Sequence, residues 1–451
     1  MIRTEKTDVA VIGAGPAGLA AASAAKIYGA DRVMVFERNP AFGGVLNQCI
    51  HDGFGLYRYG QSLSGPEFAR LAAKEAQESD AEFFFRATVT EITAEKQLTV
   101  VSPEGLMRVE ARSVVLASGC RERTRGNLMI PGDRPAGIFT AGTAQELLNL
   151  RGLKIGSKAV ILGSGDIGLI VARRLSLMGI KVEAICEAGQ APTGLTRNIL
   201  QCAREFGIPI YTRTTVSKII GKDRLTAVEL SDTDENMRPV AGNERLIPCD
   251  TLILSVGLIP ERDLLPASAK VCDDGSLEGT EGIFLCGNCK KIEQLADMAA
   301  LSGEEAGRKA ASYAKNAVYS SASTFSPPVL PTGFPKDNTV ICTGCPRGCA
   351  VQTDENGNVS GNFCPRGREL ALEEKNDPKR FLTIALPSEI GASVSLRSVA
   401  PISSRVIPSE AERLSKLNLA KESAVEGALS GLTAAGEGMV VTGISPFALL
   451  K

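Results

Sequence analysis

Four cysteines near the C-terminal end carry the most specific chemistry in this chain. They read Cys342-Thr-Gly-Cys345-Pro-Arg-Gly-Cys349 and then Gly361-Asn-Phe-Cys364-Pro-Arg-Gly367, a spacing of C-x2-C-x3-C-x14-C. Four thiolates without a histidine suit either structural zinc or an iron–sulfur cluster. The glycines and prolines between them let backbone wrap a cluster and aim N–H groups at sulfur. Paired C-x2-C knuckles would favour zinc, but Cys364 has no second cysteine beside it. The single histidine, His51, rules out any zinc centre built on two or three imidazoles.

Two glycine-rich turns carry a second kind of chemistry. In the first, an apolar run from Val9 to Ile12 leads into Gly13-x-Gly15-x-x-Gly18 and an alanine-rich stretch, and a second run, Val33 to Phe36, ends on Glu37. In the second, Ala159 to Leu162 leads into Gly163-x-Gly165-x-x-Gly168, and Val182 to Cys186 ends on Glu187. First glycine and acid are 24 residues apart in both copies. A first glycine permits the tight turn, a second lets backbone approach a pyrophosphate, and a third lets helix pack close to strand. The pyrophosphate rests on the helix N-terminus, and the acid accepts hydrogen bonds from ribose hydroxyls. Glu187, where a basic residue would receive a 2′-phosphate, points to NAD(H) rather than NADP(H). Two dinucleotides on one chain most naturally mean FAD and a nicotinamide.

The elements that position these turns belong to an ordinary globular chain. It has 451 residues, 44% hydrophobic and 22% charged, with a net charge of −1. At about 150 residues per domain this predicts roughly three domains. The composition excludes wholesale disorder and a disulfide-stapled miniprotein. The near-neutral balance argues against a nucleic-acid partner held by bulk charge. Val9 to Ala25 is uncharged and could pass for a signal peptide. However, Glu5 and Asp8 precede it, and three glycines and a proline interrupt it. No apolar run of about 18 residues exists, so no membrane-spanning helix is expected. The expected compartment is the cytoplasm, where cysteines stay reduced and serve metals or redox chemistry.

With these residues in view, the sequence resembles the two-dinucleotide flavoproteins of the pyridine nucleotide–disulfide oxidoreductase superfamily, over about residues 5 to 315. Supporting segments are Ser113-Val-Val-Leu-Ala-Ser-Gly119, Leu252-Ile-Leu-Ser-Val-Gly-Leu-Ile-Pro260 and Gly282-Ile-Phe-Leu-Cys-Gly-Asn288. The resemblance implies an FAD set of Gly13, Gly15, Gly18, Glu37, Gly44, Gly119 and Asn288, and an NAD set of Gly163, Gly165, Gly168 and Glu187. Asn288 stands where the family has an acid on the ribityl chain.

The run Gly43 to Leu56, the segment Gly119-Cys-Arg-Glu-Arg-Thr-Arg125 and the segment Pro135 to Gln145 resemble a narrower group. These are flavoproteins of multi-subunit dehydrogenases, similar to those of opine oxidase (its A component), hydrogen cyanide synthase (its B component) and an anaerobic glycerol-3-phosphate-dehydrogenase-like system. In that group a second flavoprotein usually handles the organic substrate.

Disulfide reductases carry two cysteines after the Gly-Gly turn, whereas this chain has Cys49 alone, near His51. Cys49 and His51 are the catalytic candidates, as a thiol and an imidazole able to manage protons beside a flavin. The competing account is a packing cysteine and a hydrogen-bonded histidine. Cys286-x-x-Cys289 is read as packing, and Cys120, Cys186, Cys202, Cys249 and Cys272 as core fillers.

The cysteine module resembles the 4Fe–4S domain that opens molybdopterin oxidoreductases. It more closely resembles a small cysteine domain, without an established activity, found beside or fused to these flavoproteins. A neighbouring flavin gives a one-electron carrier a use, so Cys342, Cys345, Cys349 and Cys364 are expected to hold a 4Fe–4S cluster, with zinc as the alternative.

The resulting fold class is α/β: two Rossmann-like dinucleotide-binding domains, the second inserted in the first, then a small cysteine-cluster domain and a β-rich C-terminal segment. Expected boundaries are 1–148 with 266–318 for FAD, 149–265 for NAD(H), 319–337 for a Ser/Pro-rich linker, 338–385 for the cysteines and 386–451 for the β-rich segment. The expected function is transfer of electrons between NAD(H), FAD and the cluster, to or from a partner dehydrogenase subunit similar to glycerol-3-phosphate dehydrogenase. The expected assembly is a hetero-oligomer or homodimer. The alternatives are a stand-alone NAD(P)H oxidase or disulfide-type reductase using Cys49, and a zinc-containing docking subunit with a vestigial flavin site.

Overall fold

The computed structural model describes residues 3–316, 330–335, 339–345 and 347–448. The expected linker falls largely outside the described residues; only 330–335 of it are described. The chain divides into two compact units. One runs to Arg121 and resumes at Leu258; the other holds Glu122–Gly257 and the chain's C-terminal part. Each is described by itself.

The first unit is built on a sheet whose central strands are parallel. Arg3–Ile12 lies between Val33–Glu37 and Gly105–Leu116, with Val9 opposite Val33 and Ser113. Thr280–Leu285 joins the far side of Gly105–Leu116, and Glu82–Phe85 the far side of Val33–Glu37. Such strands are covered on both faces, so they read as unbroken apolar runs rather than alternating ones. Val33–Glu37 is buried at all five positions, its terminal acid included. The helix Pro16–Ile27 starts with proline in its first turn and buries every residue from Ala17 to Ala25. Alanine is required there because Ala296–Ala314 packs against it through Gly303 and Gly307. A Cβ on either glycine would fall 2.0–2.2 Å from the carbonyl oxygen of Ala17 or Ala21.

The second unit repeats the plan. Its parallel sheet runs Ile210–Tyr211, Lys181–Cys186, Lys158–Leu162, Thr251–Leu254, Ile138–Thr140. Residues 122–148, assigned from sequence to the FAD-binding part, therefore supply a strand of this second sheet. Residues 258–265, assigned to the NAD(H) part, belong to the first unit.

The C-terminal part has two pieces. A three-stranded sheet (Thr339–Ile341, Ala350–Thr353, Val359–Ser360) and the helix Pro365–Asn376 carry the four cysteines. A four-stranded antiparallel sheet follows, ordered Thr383–Pro387, Ala392–Ser398, Glu437–Ala448, Leu429–Ala434. It is the β-rich segment read from sequence, and the helix Ile407–Ser415 accompanies it. Its core reaches Leu177 and Phe206 of the nucleotide-binding half. Ser393 and Ser445 hydroxyls donate to the carbonyls of Asn149 and Leu150, at 2.7 and 2.9 Å. Among the described residues no helix is long and apolar enough to cross a membrane.

Candidate functional site

The two glycine turns are the same device built twice. Gly13 and Gly163 have φ of +101° and +104°, a region that strains any residue with a Cβ. A Cβ on Gly18 would lie 1.8 Å from the Gly13 carbonyl oxygen, and one on Gly168 would lie 2.5 Å from that of Gly163. First and third glycines are therefore dictated by the fold. The second is different. Gly15 has φ of −75° and a Cβ there would meet nothing within 4 Å; at Gly165 the nearest atom would be Thr193 Oγ1 at 3.8 Å. The space beside each second glycine is open, and it lies at a helix N-terminus with no side-chain cap. Free N–H groups facing open space suit a phosphate.

Each acid braces its own turn. Glu37 accepts the N–H of Ala14 on one oxygen and of Asn39 on the other, both at 2.8 Å. Glu187 accepts the N–H of Ser164 at 3.3 Å and of Gly189 at 2.9 Å, and also the Ser164 hydroxyl. In both copies the acid is fixed, nearly buried and at the end of its strand.

Of the remaining FAD candidates, Gly44 and Asn288 lie at the first turn. A Cβ on Gly44 would lie 3.3 Å from Gly15 Cα, and the Gly43 N–H donates to Ala14 at 2.8 Å. A Cβ on Gly287 would lie 2.8 Å from the Ala17 methyl, which sets the neighbouring Asn288 beside the same helix start. Asn288 accepts the Glu293 N–H at 2.9 Å and approaches Cys120 Sγ at 3.5 Å. Gly119 has φ of +75°, and its carbonyl accepts the Glu261 N–H.

Cys49 and His51 flank the buried Ile50. The Cys49 carbonyl accepts the Gly65 N–H at the start of the helix Gly65–Glu78. Burial pushes its thiol up to about 12, so it keeps its proton at neutral pH and is a poor nucleophile. His51 Nδ1 lies 3.0 Å from the Asp52 carbonyl, and its ring sits 4.9 Å from that of Phe54. Cys286 and Cys289 are buried, with thiols directed at the Leu116 carbonyl at 3.8 and 3.0 Å, which is a packing arrangement. Cys186, Cys202 and Cys249 are core residues, as read from sequence. Cys272 is a correction: it is exposed, because it lies in the turn before Ser276–Leu277 rather than on a strand.

In the cysteine module the Cys342 N–H donates to the Cys349 carbonyl at 2.8 Å, and Cys364 begins the helix Pro365–Asn376. Cys342 is raised by burial and then by the charges of Cys345, Cys349 and Cys364, so the four thiols feel one another. Among the described residues no three His, Cys, Asp or Glu side chains already form a metal cage. The module's core, among the described residues, is Cys342, Val351 and Ala371, with Cys349, Val359 and Leu370 packed on it. A core this small contributes little on its own to offset the entropy of ordering the strands and helix, so the module relies on additional support such as its packing within the second unit.

Sequence reasoning missed three features. Asp297, 2% exposed, accepts the N–H groups of Gly55, Tyr57 and Arg58 and holds that loop on the helix Ala296–Ala314. Ser164 fastens Glu187 through its hydroxyl. Arg125 and Arg134 line a pocket in the second unit. Only Ser164 had a visible signal, as the residue between the first two glycines.

Paired dinucleotide cradles on parallel sheets define a flavin- and nicotinamide-type oxidoreductase. Residues 7–303 match the family described as pyridine nucleotide-disulphide oxidoreductase, and the chain belongs to that family, whose class is the FAD-dependent pyridine nucleotide oxidoreductases. It is 29% identical over 281 residues to the A component of opine oxidase from Agrobacterium tumefaciens (strain Ach5), covering 58% of this chain and 54% of that one. It is 24% identical over 320 residues to the HcnB component of hydrogen cyanide synthase from Pseudomonas protegens, covering 66% of each. The chain thus spans about half the length of its opine oxidase relative. Thioredoxin reductase of T. acidophilum shares the fold with a TM-score of 0.55 and 23% identity, over 68% of this chain and 98% of that one.

Proposed function

We propose that this chain is the electron-transfer subunit of a multi-subunit dehydrogenase in the cytoplasm. It moves electrons between NAD(H), FAD and a 4Fe–4S cluster, to or from a partner dehydrogenase of the glycerol-3-phosphate type. In this reading the unit with Gly13, Gly15, Gly18, Glu37, Gly44, Gly119 and Asn288 binds FAD. The unit with Gly163, Gly165, Gly168 and Glu187 binds NAD(H). Cys342, Cys345, Cys349 and Cys364 hold the cluster, which when bound supplies one-electron exchange. The protein binds, orients and shields, and the cofactors carry the redox chemistry.

The observation that carries this reading is the duplication of one cradle: an open second glycine, an uncapped helix start and a braced acid in both copies. Two relatives whose names describe them as subunits support a partner. The disulfide-reductase alternative loses ground because Cys49 stands without a second cysteine after the Gly-Gly turn and its half-buried thiol is held protonated by desolvation. In this reading Cys49 and His51 neighbour the flavin and hold protons rather than attack a disulfide.

The test is an anaerobic visible spectrum of the purified protein, with iron, zinc and acid-labile sulfide assayed on the same sample. Flavin bands with about four irons and matching sulfide per chain are expected. Flavin bands with one zinc and no sulfide would overturn the relay and leave a two-electron NADH:acceptor flavoenzyme. Colourless protein would overturn the flavin reading itself.

A further inference from the structure

A pocket of about 380 Å³ opens in the second unit at the carboxyl ends of two neighbouring parallel strands, Ile138–Thr140 and Thr251–Leu254. Open α/β sheets bind ligands at this end of their strands, and the volume falls in the small-molecule range. The lining includes two guanidinium groups (Arg125, Arg134), three hydroxyls (Thr124, Thr140, Thr143) and the apolar side chain of Leu254, but no carboxylate.

Among the described residues neither arginine forms an ion pair, although Asp133 acts on Arg125 at longer range. Arg125 donates from one terminal nitrogen to the carbonyls of Ile130 and Gly132, at 3.2 and 3.3 Å, while its Nε is shut off from water without an acceptor. Arg134 makes no hydrogen bond or ion pair among the described residues and repels Arg125. Burial first, and then Arg134, hold Arg125 below the ordinary arginine range, with Asp133 pulling the other way. The nearby acids are committed elsewhere. Asp133 accepts the Gly221 N–H at 2.9 Å, and both oxygens of Glu122 accept the Gly142 N–H at 2.9 Å. Arg134 is exposed and Arg125 half-buried, so an anion between them would relieve a partly screened repulsion, and guanidinium groups match carboxylate and phosphate in shape as well as sign.

We propose that this pocket binds a small organic anion, a carboxylate or a phosphate ester, with its charge between Arg125 and Arg134 and its apolar body on Leu254. Leu254 stands one strand over from Leu162, which leads into the Gly163–Gly168 turn, so the pocket neighbours that turn without including its glycines, and the inference does not depend on the cluster or on the partner.

The test is calorimetric titration of the full chain with inorganic phosphate and, separately, with succinate. Ionic strength is held constant with sodium chloride, and NAD⁺ is present at saturation. At least one probe should bind saturably, and Arg134→Gln should weaken it about tenfold while leaving NAD⁺ affinity unchanged. The tighter probe assigns the anion class. Arg134 is the residue to change because it holds no backbone, whereas Arg125 fastens the 130–132 loop. Lys270→Gln, in the other unit, gives the baseline for non-specific charge. The proposal is overturned if neither probe saturates or if R134Q binds as the parent does. It is equally overturned if R134Q loses NAD⁺ in parallel, which would make the pocket part of the dinucleotide site.

Discussion

Glu187 holds Ser164 by two atoms, taking its backbone N–H at 3.3 Å and its hydroxyl on the same carboxylate oxygen. The acid therefore shapes the glycine turn before any ribose arrives. Its other oxygen is tied to the Gly189 N–H at 2.9 Å, so the carboxylate is oriented from both sides. An oriented acid loses little entropy on accepting a ribose hydroxyl, and an amide or a cation at this position disturbs both loop and ligand. Glu187→Arg should cut NADH-dependent dye reduction about 10–100-fold in kcat/KM and narrow the NADH-over-NADPH preference. Steady-state rates with both nucleotides check this, and an unchanged ratio would remove Glu187 from nucleotide choice.

The glycines separate binding from folding. Gly15 has open space beside it, so Gly15→Trp should fold like the parent apoprotein yet retain little flavin and lose diaphorase activity. Gly18 has the Gly13 carbonyl at 1.8 Å from any added Cβ, so Gly18→Ala should destabilise the first unit by about 1–3 kcal/mol. Flavin content and urea midpoints of the two apoproteins check the pair. Equal loss of stability in both variants would contradict the assignment of Gly15 to the ligand.

Much of this was legible in the sequence, for physical reasons. Gly13, Gly18, Gly163 and Gly168 sit at positions where only glycine fits, and Glu37 and Glu187 end buried strands. Local chemistry and long-range geometry agree there, so spacing alone was informative. The close helix contact at Gly303 and Gly307 was not legible, because the residues they spare, Ala17 and Ala21, lie nearly 290 positions away. Asp297 was missed for the same reason: its three N–H partners lie some 240 residues upstream. Arg125 and Arg134 look like ordinary surface charges in a sequence. Only the fold shows that the acids beside them are engaged elsewhere.

Buried thiols make the protein sensitive to alkali. Burial pushes Cys49, Cys186 and Cys249 from the ordinary 9.0 up to about 12. A group whose folded value is raised binds its proton more tightly when folded. Its contribution is complete below pH 9 and is lost as pH rises from 9 toward 12. Unfolding free energy should therefore fall across that window. Iodoacetamide at pH 8 should modify exposed Cys272 readily in the native protein, half-buried Cys49 slowly because its thiol stays protonated, and buried Cys186 and Cys249 only after unfolding. Mass spectrometry of the labelled peptides decides it, and rapid native labelling of Cys49 would revive its role as a nucleophile.

On the proposed reading of Cys342, Cys345, Cys349 and Cys364 as metal ligands, metal removal should act locally. The cysteine module rests on a three-residue core, whereas the following sheet has a core that reaches Leu177 and Phe206. Stripping the metal with a chelator should raise hydrogen exchange sharply across Thr339–Ile341, Ala350–Thr353 and Pro365–Asn376. Lys158–Leu162 and Arg3–Ile12 should be unaffected. Unchanged exchange in the module after complete metal loss would mean that packing alone holds it and that the four thiols have no structural metal.

Arg380 joins the cysteine module to the nucleotide-binding half. Its guanidinium pairs with Glu374 on the helix Pro365–Asn376 and with Glu205, 2.5 Å away, just beyond the helical turn Ile199–Arg204. The arginine is 11% exposed and Glu205 22%, and burial holds Glu205 above its ordinary range despite the cation beside it. Removing the arginine strands a partly buried carboxylate. Arg380→Ala should therefore cost about 2–4 kcal/mol, toward the low end because both acids retain some water. A raised Glu205 takes up its proton above the ordinary glutamate range, so the penalty should shrink as pH falls toward that range from above. Adding Glu205→Gln should recover part of the loss. Denaturation of the single and double variants at two pH values completes the cycle, and additive losses would show that Arg380 and Glu205 are not coupled.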